Sequence, residues 1–567
     1  MIVVKMLAFL SPLMAEEKGG RSESDRIVIT AREIKEMNVR TIVEVLNQIP
    51  GVDAGEHSVS LRGSYMVRVL LDGRPINDPL SGHRAIKWNL VSLNDIEKIE
   101  IYKGGGAVAF GDDTSGGVIS ITTKKIKGFH GYLEAMGGKL DTQSYSLNMR
   151  KDIKPFGIGL SAGWDKTEGF RRNGDKDKKR VGTKVSFSPE RKYSFHLSLD
   201  WAKEDRGMPG LPAFPTPRAR SENESFGCSL LGKMGQLRIG THFNRFEKKN
   251  ANPDTFLYTI LKSWSLREDI KSDLSLPKLG LITTGANFEV AHLKGNKVKS
   301  IHEEKYGIYA AKEIHFRRLP LTLGLGLRWN LYSEFQQVVN PEIKVDFKRD
   351  NFSFQVSVTK TNNTPTFLQR YYESSTTKPN PDLGMEKAVN YSSTLVFNPV
   401  KSLQGLITLF RSKVEDRITY VRRDGGIGSY ENFGKVTLKG VEASVKWKIG
   451  SSWEIKPSYI YLSAKDERTG NWLPAKAEHK ARLDIRYKPF ADLTLHLDTR
   501  YVSKQYSRAD NTESVPEYFR VDLRADYYLK KVRLFLKIEN LFDKKYYYGD
   551  GYPAPPLTWS GGVNYEF

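Results

Sequence analysis

The 567-residue sequence has a single cysteine, Cys228, so it forms no intrachain disulfide and no cluster of thiolate ligands. Past the N-terminus no run approaches the ~18 consecutive apolar residues that a membrane-crossing helix needs, which excludes a helical membrane protein. The ten histidines show no metal-ligand spacing. Gly104-Gly105-Gly106 is not followed by Gly-Lys-Ser/Thr, so it is no phosphate loop, and nothing else signals an enzyme. Arginine-rich blocks and zinc-finger spacings are missing as well. The formal charge of +22 comes from basic residues spread along the whole chain. That distribution argues against nucleic acid and leaves anionic headgroups, an anionic solute or a Lys/Glu-rich surface to explain it. A hydrophobic content of only 39% does not exclude a membrane β-barrel, whose strands alternate lipid-facing and lumen-facing residues.

Met1 to Ala15 reads as a short secretory signal, with Lys5 at its positive end, Met6 to Leu10 as the apolar centre and Ala15 at the cleavage site. A polar tail, 16–26, follows. From Ile27 to Lys125 the texture is mixed α/β. Thr41 to Pro50 predicts a short amphipathic helix with a Thr41/Glu44 capping box, ended by Pro50-Gly51. Strands are expected over Met66–Leu71, Ile96–Lys103 and Val118–Thr123, the first closing on the turn Asp72-Gly73.

The remainder, 126–567, has period two. Leu321, Leu323, Leu325, Leu327 and Trp329 alternate with Thr322, Gly324, Gly326 and Arg328; Phe519, Val521, Leu523 and Ala525 alternate with Arg520, Asp522 and Arg524. An apolar face against a charged face suits lipid outside and water inside, and about 22 such segments recur. Leu323 and Leu497 are expected to face lipid, and His496 the lumen, where an arginine in its place would be tolerated. Short turns such as Ser188–Lys192 and Leu529–Lys531 alternate with long loops such as Ala202–Ser225 and Thr361–Lys387, which places the long loops outside the cell. The expected fold is an all-β transmembrane barrel of about 22 antiparallel strands with a small α/β N-terminal domain.

Ordered motifs make this reading more specific. Leu46-Asn47-Gln48-Ile49-Pro50-Gly51-Val52, Ser60-Leu61-Arg62-Gly63, Val69-Leu70-Leu71-Asp72-Gly73, Ile96 to Gly104 and Gly116 to Ile121 occur in the first domain. Asn380-Pro381-Asp382-Leu383 with Glu386, Gly440-Val441-Glu442 and Glu539 to Tyr546 occur in the second. Together they resemble the TonB-dependent outer-membrane receptors, nearest in look to the vitamin B12 and catecholate siderophore receptors. The resemblance implies that 27–125 is a plug inside a barrel formed by 126–567. It implies uptake of a ferric siderophore or cobalamin, with no permanently bound cofactor. The implied partners are a periplasmic TonB-ExbB-ExbD transducer, the lipid bilayer with its lipopolysaccharide, and a small-molecule ligand; the receptor would be a monomer. By the same resemblance Arg62 and Lys103 of the plug would meet Glu386 and Glu442 of the wall, with lysine at 103 replacing the family's usual arginine.

Candidate ligand contacts are Glu56 and His57, then Ser81, His83, Arg84 and Trp88 of the plug, and Arg171, Arg172, Tyr371, Tyr372, Tyr546, Tyr547 and Tyr548 of the loops. They offer hydrogen bonds, charge and stacking surfaces. Asp175 and Asp177 look like plain loop residues rather than calcium ligands, because Lys176, Lys178 and Lys179 lie among them. The family's short apolar handle for its transducer has no separate counterpart. Asp25, Arg26, Ile27, Val28, Ile29 and Thr30 form the one candidate, although Ile27–Thr30 also reads as the plug's own first strand.

Overall fold

The structure, a computed structural model, describes residues 26–567 except 38, 83, 191, 278–279, 375, 423–426 and 550. The expected signal segment, Asp25 and His83 lie outside the described residues.

Strands from Phe129–Gly138 to Thr558–Glu566 form one closed antiparallel barrel of 22 strands. Closure comes from pairing the last strand with the first, Gly562 opposite Met136 and Tyr565 opposite Leu133, which leaves no free edge. Period two is what makes the wall amphipathic. Along Leu321–Tyr332, Leu325, Leu327 and Trp329 are exposed on the outside, whereas Arg328 and Asn330 are buried on the lumen side. Several strands run far beyond the ~9–11 residues needed to cross a bilayer. Leu403–Arg422 has 20 residues and Gly428–Ile449 has 22. Two expected loops are therefore shorter than their composition suggests. Strands reach Gly207 and restart at Arg220, and they reach Asn363 and restart at Glu386, with a helix at Phe367–Tyr371 between the latter pair. Above the bilayer both faces of a hairpin meet water, so apolar alternation stops while pairing continues, as in Asp205 opposite Glu222.

The N-terminal domain lies inside this barrel. Its five-stranded sheet runs in the order Ile27–Thr30, Ile96–Lys103, Gly117–Thr123, Val67–Leu71, Arg74–Pro75. Val45, Leu46, Leu61, Val69, Ile99, Ile119 and Ile121 are fully buried in its core, and each such side chain contributes about 1.5–3 kcal/mol by leaving water. Asp72 and Gly73 both take positive φ, 50° and 89°, as a two-residue hairpin turn demands. Gly117, at φ 134°, admits no side chain, since a Cβ there would lie 1.9 Å from the Tyr102 carbonyl oxygen.

The helix is shorter than expected, Ile42–Leu46, and its capping box is half-formed. Thr41 Oγ1 accepts the Glu44 amide at 3.2 Å, but the Glu44 carboxylate turns to the barrel wall. His496 does face the lumen, yet it is buried with its Nε2 4.0 Å from Asp526 and beside Arg524, so an arginine there meets a crowded, already cationic site rather than open water. That corrects the expected tolerance.

Candidate functional site

The lumen is filled by the plug, and ion pairs hold it there. Arg62 donates to Glu442 Oε2 at 3.0 Å, and Lys103 Nζ donates to both Glu442 oxygens at 3.1 Å. All three groups are buried, and the Arg62 guanidinium also lies 4.7 Å from the centroid of Phe410. Burial pushes the Lys103 ammonium down to about 8, with Glu442 working against that shift. Gly51 makes room for the cluster. It sits at φ 68°, and a Cβ on it would fall 1.8 Å from Glu442 Oε1. Glu386 does not join. It accepts the Asn363 side chain at 3.0 Å and the Ile418 amide at 2.8 Å, and so braces the wall instead of meeting Arg62 or Lys103.

Further anchors involve residues that the motifs did not single out. Asp112 of the plug binds Lys305 of the wall at 3.0 Å and the plug's own Arg68 at 2.9 Å. Arg74 is fully buried against Asp200 and Asn244. Glu44 takes Lys537 at 3.0 Å and Arg524 at 3.1 Å; burial alone would raise its carboxyl, but these cations hold it well below the usual range. Repeated alternation of charge along lumen-facing strand positions was the available signal, but it does not say which plug residue meets which wall residue. Between plug and wall at the periplasmic end lies a cavity of about 410 Å³, bordered by Ile34, Lys35, Arg40, Asp95, Lys184 and Glu566.

The opposite, extracellular mouth holds most of the expected contact residues, although they do not converge on one spot. Glu56, at the tip of the hairpin Val52–Ala54/Val59–Leu61, binds Lys176 at 2.6 Å, Arg206 at 3.2 Å and Lys178 at 3.4 Å. His57 lies 3.5 Å from Glu204. Arg84 pairs with Asp113 at 3.0 Å and donates to the Thr364 carbonyl. Ser81 is half-buried in the same plug loop, whose backbone closes through Ser81 N–H to Asp78 O at 3.3 Å.

Other expected contacts are structural. Trp88 is buried in the plug core, unable to stack on a ligand in this arrangement. Tyr371 and Tyr372 pack on the same core, and Arg370 covers the Tyr371 ring at 4.6 Å. Tyr546 is buried, stacked on Tyr518 at 4.3 Å, whereas Tyr547 and Tyr548 beside it are exposed. Arg171 reaches the Pro209 carbonyl at 3.4 Å and Arg172 projects into solvent. Asp175 is taken by Arg220 at 2.8 Å.

At the periplasmic end, Ile27–Thr30 pairs antiparallel with the strand Ile96–Lys103, Val28 opposite Glu100, as the outermost strand of the plug sheet. Arg26 pairs with Glu100 and reaches the Tyr102 hydroxyl at 3.3 Å.

A closed 22-stranded barrel with a folded domain bolted into its lumen defines a gated outer-membrane transporter rather than an open pore. Two family models match, the TonB-dependent receptor plug domain over residues 21–118 and the TonB-dependent receptor-like β-barrel over residues 141–541, and the chain belongs to the TonB-dependent receptors of the outer membrane. These are receptors and transporters that work with a TonB partner on a small-molecule ligand, not an enzyme family. Among curated relatives, the vitamin B12 transporter BtuB of Photobacterium profundum is 24% identical over 95% of this chain and 92% of that protein. The BtuB of Vibrio vulnificus strain YJ016 is also 24% identical, over 95% and 92%. Among solved structures, the siderophore receptor PirA of Acinetobacter baumannii superposes with a TM-score of 0.81 at 16% identity, covering 96% of this chain and 98% of that one. A ferric enterobactin receptor (PfeA) variant of Pseudomonas aeruginosa gives 0.82 at 16% identity over 96% and 98%.

Proposed function

We propose that this receptor takes up a ferric siderophore, driven by a TonB-ExbB-ExbD transducer, and that it works as a monomer in a lipopolysaccharide-bearing membrane. One observation carries the reading: the plug blocks the lumen through buried ion pairs, while the mouth above it stays open to water and lined with cations and tyrosines. A bulky solute then binds outside and crosses only when the plug is moved. Ligand contacts are drawn from His57, Ser81 and Arg84 of the plug, Arg171 and Arg172 of one loop, and Tyr547 and Tyr548 of another, while Glu56 holds the cations beside them. The transducer is engaged near Arg26–Thr30, because the outer edge of that strand carries no partner strand among the described residues, and strand addition needs such an edge. Cobalamin is the second reading, favoured by the names of the full-length relatives. Titrating purified receptor with cyanocobalamin and with a panel of ferric chelates separates the two. Saturable binding of a ferric chelate without binding of cyanocobalamin is the expected result; the reverse would establish the second reading.

A further inference from the structure

The plug hairpin Val52–Ala54/Val59–Leu61 reaches the mouth and carries two carboxylates, Asp53 and Glu56, which are held by different parts of the wall. Glu56 lies among Lys176, Lys178 and Arg206, from the strands Lys176–Glu190 and Tyr193–Gly207. Two of these cations are shared with Glu204, so three cations face two carboxylates. Asp53 is bound by Lys480 Nζ at 2.6 Å and Arg500 at 3.4 Å, from the strands His479–Phe490 and Leu493–Val502. Six wall strands separate the two attachments.

Lys476, in the loop just above Asp53, adds a third cation there and lies 3.7 Å over the ring of Tyr65, a half-exposed residue at the apex of the next plug loop. Burial pushes the Lys476 ammonium down to about 7, with Asp53 working against it. Burial would raise both hairpin carboxyls, but the cations outweigh it and keep Asp53 and Glu56 ionised. Asp53, Glu56, Lys176, Lys178, Lys480 and Arg500 all keep part of their side chains open to water.

We infer that Asp53 and Glu56 are placeholders for the negative charges of a polyanionic ligand, and that binding such a ligand exchanges it for the hairpin carboxylates and frees the hairpin from the wall. The physical basis is competition. Partly exposed ion pairs are individually weak, so a ligand carrying several fixed charges gains more from the same cations than two carboxylates do. A neutral ligand gains nothing from the exchange. The surface does not belong to membrane headgroups, because these cations face the lumen and contact the plug. The inference rests on the uptake reading above and narrows its substrate class to multiply charged ferric chelates.

The test uses the full-length receptor in detergent, with trianionic ferric tris-catecholate and cyanocobalamin as probes. D53N/E56Q is expected to bind the chelate about tenfold more tightly than wild type and to bind cyanocobalamin no differently. Lys176→Gln, at a half-exposed position, is expected to weaken the chelate alone. In unsubstituted receptor the chelate should speed amide hydrogen exchange across residues 52–61, a readout that needs no variant to fold. Unchanged or weaker chelate binding by D53N/E56Q, or slower hairpin exchange on adding chelate, would overturn the inference. TonB-dependent uptake of cyanocobalamin by a receptor whose hairpin ignores the chelate would sink the exchange while leaving energised uptake intact. Hairpin release by chelate in a receptor with no TonB-dependent uptake would do the opposite.

Discussion

Replacing Glu442 by glutamine should loosen the plug more than any other single wall substitution described above. Glu442 receives Arg62 at 3.0 Å and Lys103 at 3.1 Å, and its side chain is 1% exposed. At an effective dielectric of ~20 each contact is worth about 5 kcal/mol of Coulomb attraction, most of it offset by the cost of burying three charges. The intact cluster therefore contributes modestly. Its loss is another matter, because the amide leaves two buried cations facing each other without a counter-charge. Breaking a buried pair in this way costs about 3–5 kcal/mol, which multiplies the open population of the plug by two to nearly four orders of magnitude. Hydrogen exchange of the amides in Ile96–Lys103 and Gly117–Thr123 reads that population directly. Adding R62M and K103M to E442Q removes the stranded cations and should restore much of the protection. If E442Q exchanges like wild type, these ion pairs do not hold the plug and the reasoning fails.

Other expectations test other parts of the account. Leu327→Arg, on the lipid face, should impair membrane assembly at a cost of ~2–4 kcal/mol if it lies near the bilayer midplane; Ser161→Arg, which borders the periplasmic cavity, should assemble normally, as scored by heat-modifiable gel migration. Val28→Pro removes a backbone donor from the strand at the plug's outer edge. It should abolish energised uptake and spare surface binding of the ligand, and lost binding would mean that the strand is needed for the plug itself. Asp53 and Glu56 have carboxyls held below their ordinary values, so their contribution to hairpin stability is full above ~4.5 and declines as pH falls further. Hydrogen exchange over 52–61, corrected for intrinsic rate, should be flat from ~6 to ~5, below the Lys476 titration at about 7, and accelerate below ~4; acceleration between ~6 and ~5 would point to a different titrating group.

Much of the fold was legible because the barrel writes itself into period two. Alternations such as Leu325–Arg328 and Phe519–Arg524 each have one face for lipid and one for water, and the plug strand Ile96–Lys103 was readable to the residue. Strand ends were not, since above the bilayer nothing apolar marks the faces of Lys203–Gly207 or Arg220–Glu224. The site was less legible than the fold. Arg62, Lys103 and Glu442 came from motifs and meet in space. Glu386 carries equally recognisable wording but serves the wall, and Trp88, expected to contact ligand, serves the plug core. Asp53 and Asp112 have no motif at all, and the capping-box reading of Glu44 did not point to the wall, because a lumen contact between residues hundreds of positions apart depends on the plug's rotation within the barrel, which local sequence does not encode.

The central claim is that a plugged barrel imports a multiply charged iron chelate only when a transducer moves the plug. Uptake of radiolabelled iron, presented as ferric tris-catecholate to cells that carry this receptor as their sole outer-membrane route for it, tests the claim most directly. Accumulation should be saturable, should vanish when TonB is deleted or the proton gradient is collapsed, and should be unaffected by excess cyanocobalamin. Accumulation that persists without TonB, or that cyanocobalamin abolishes, would contradict the account.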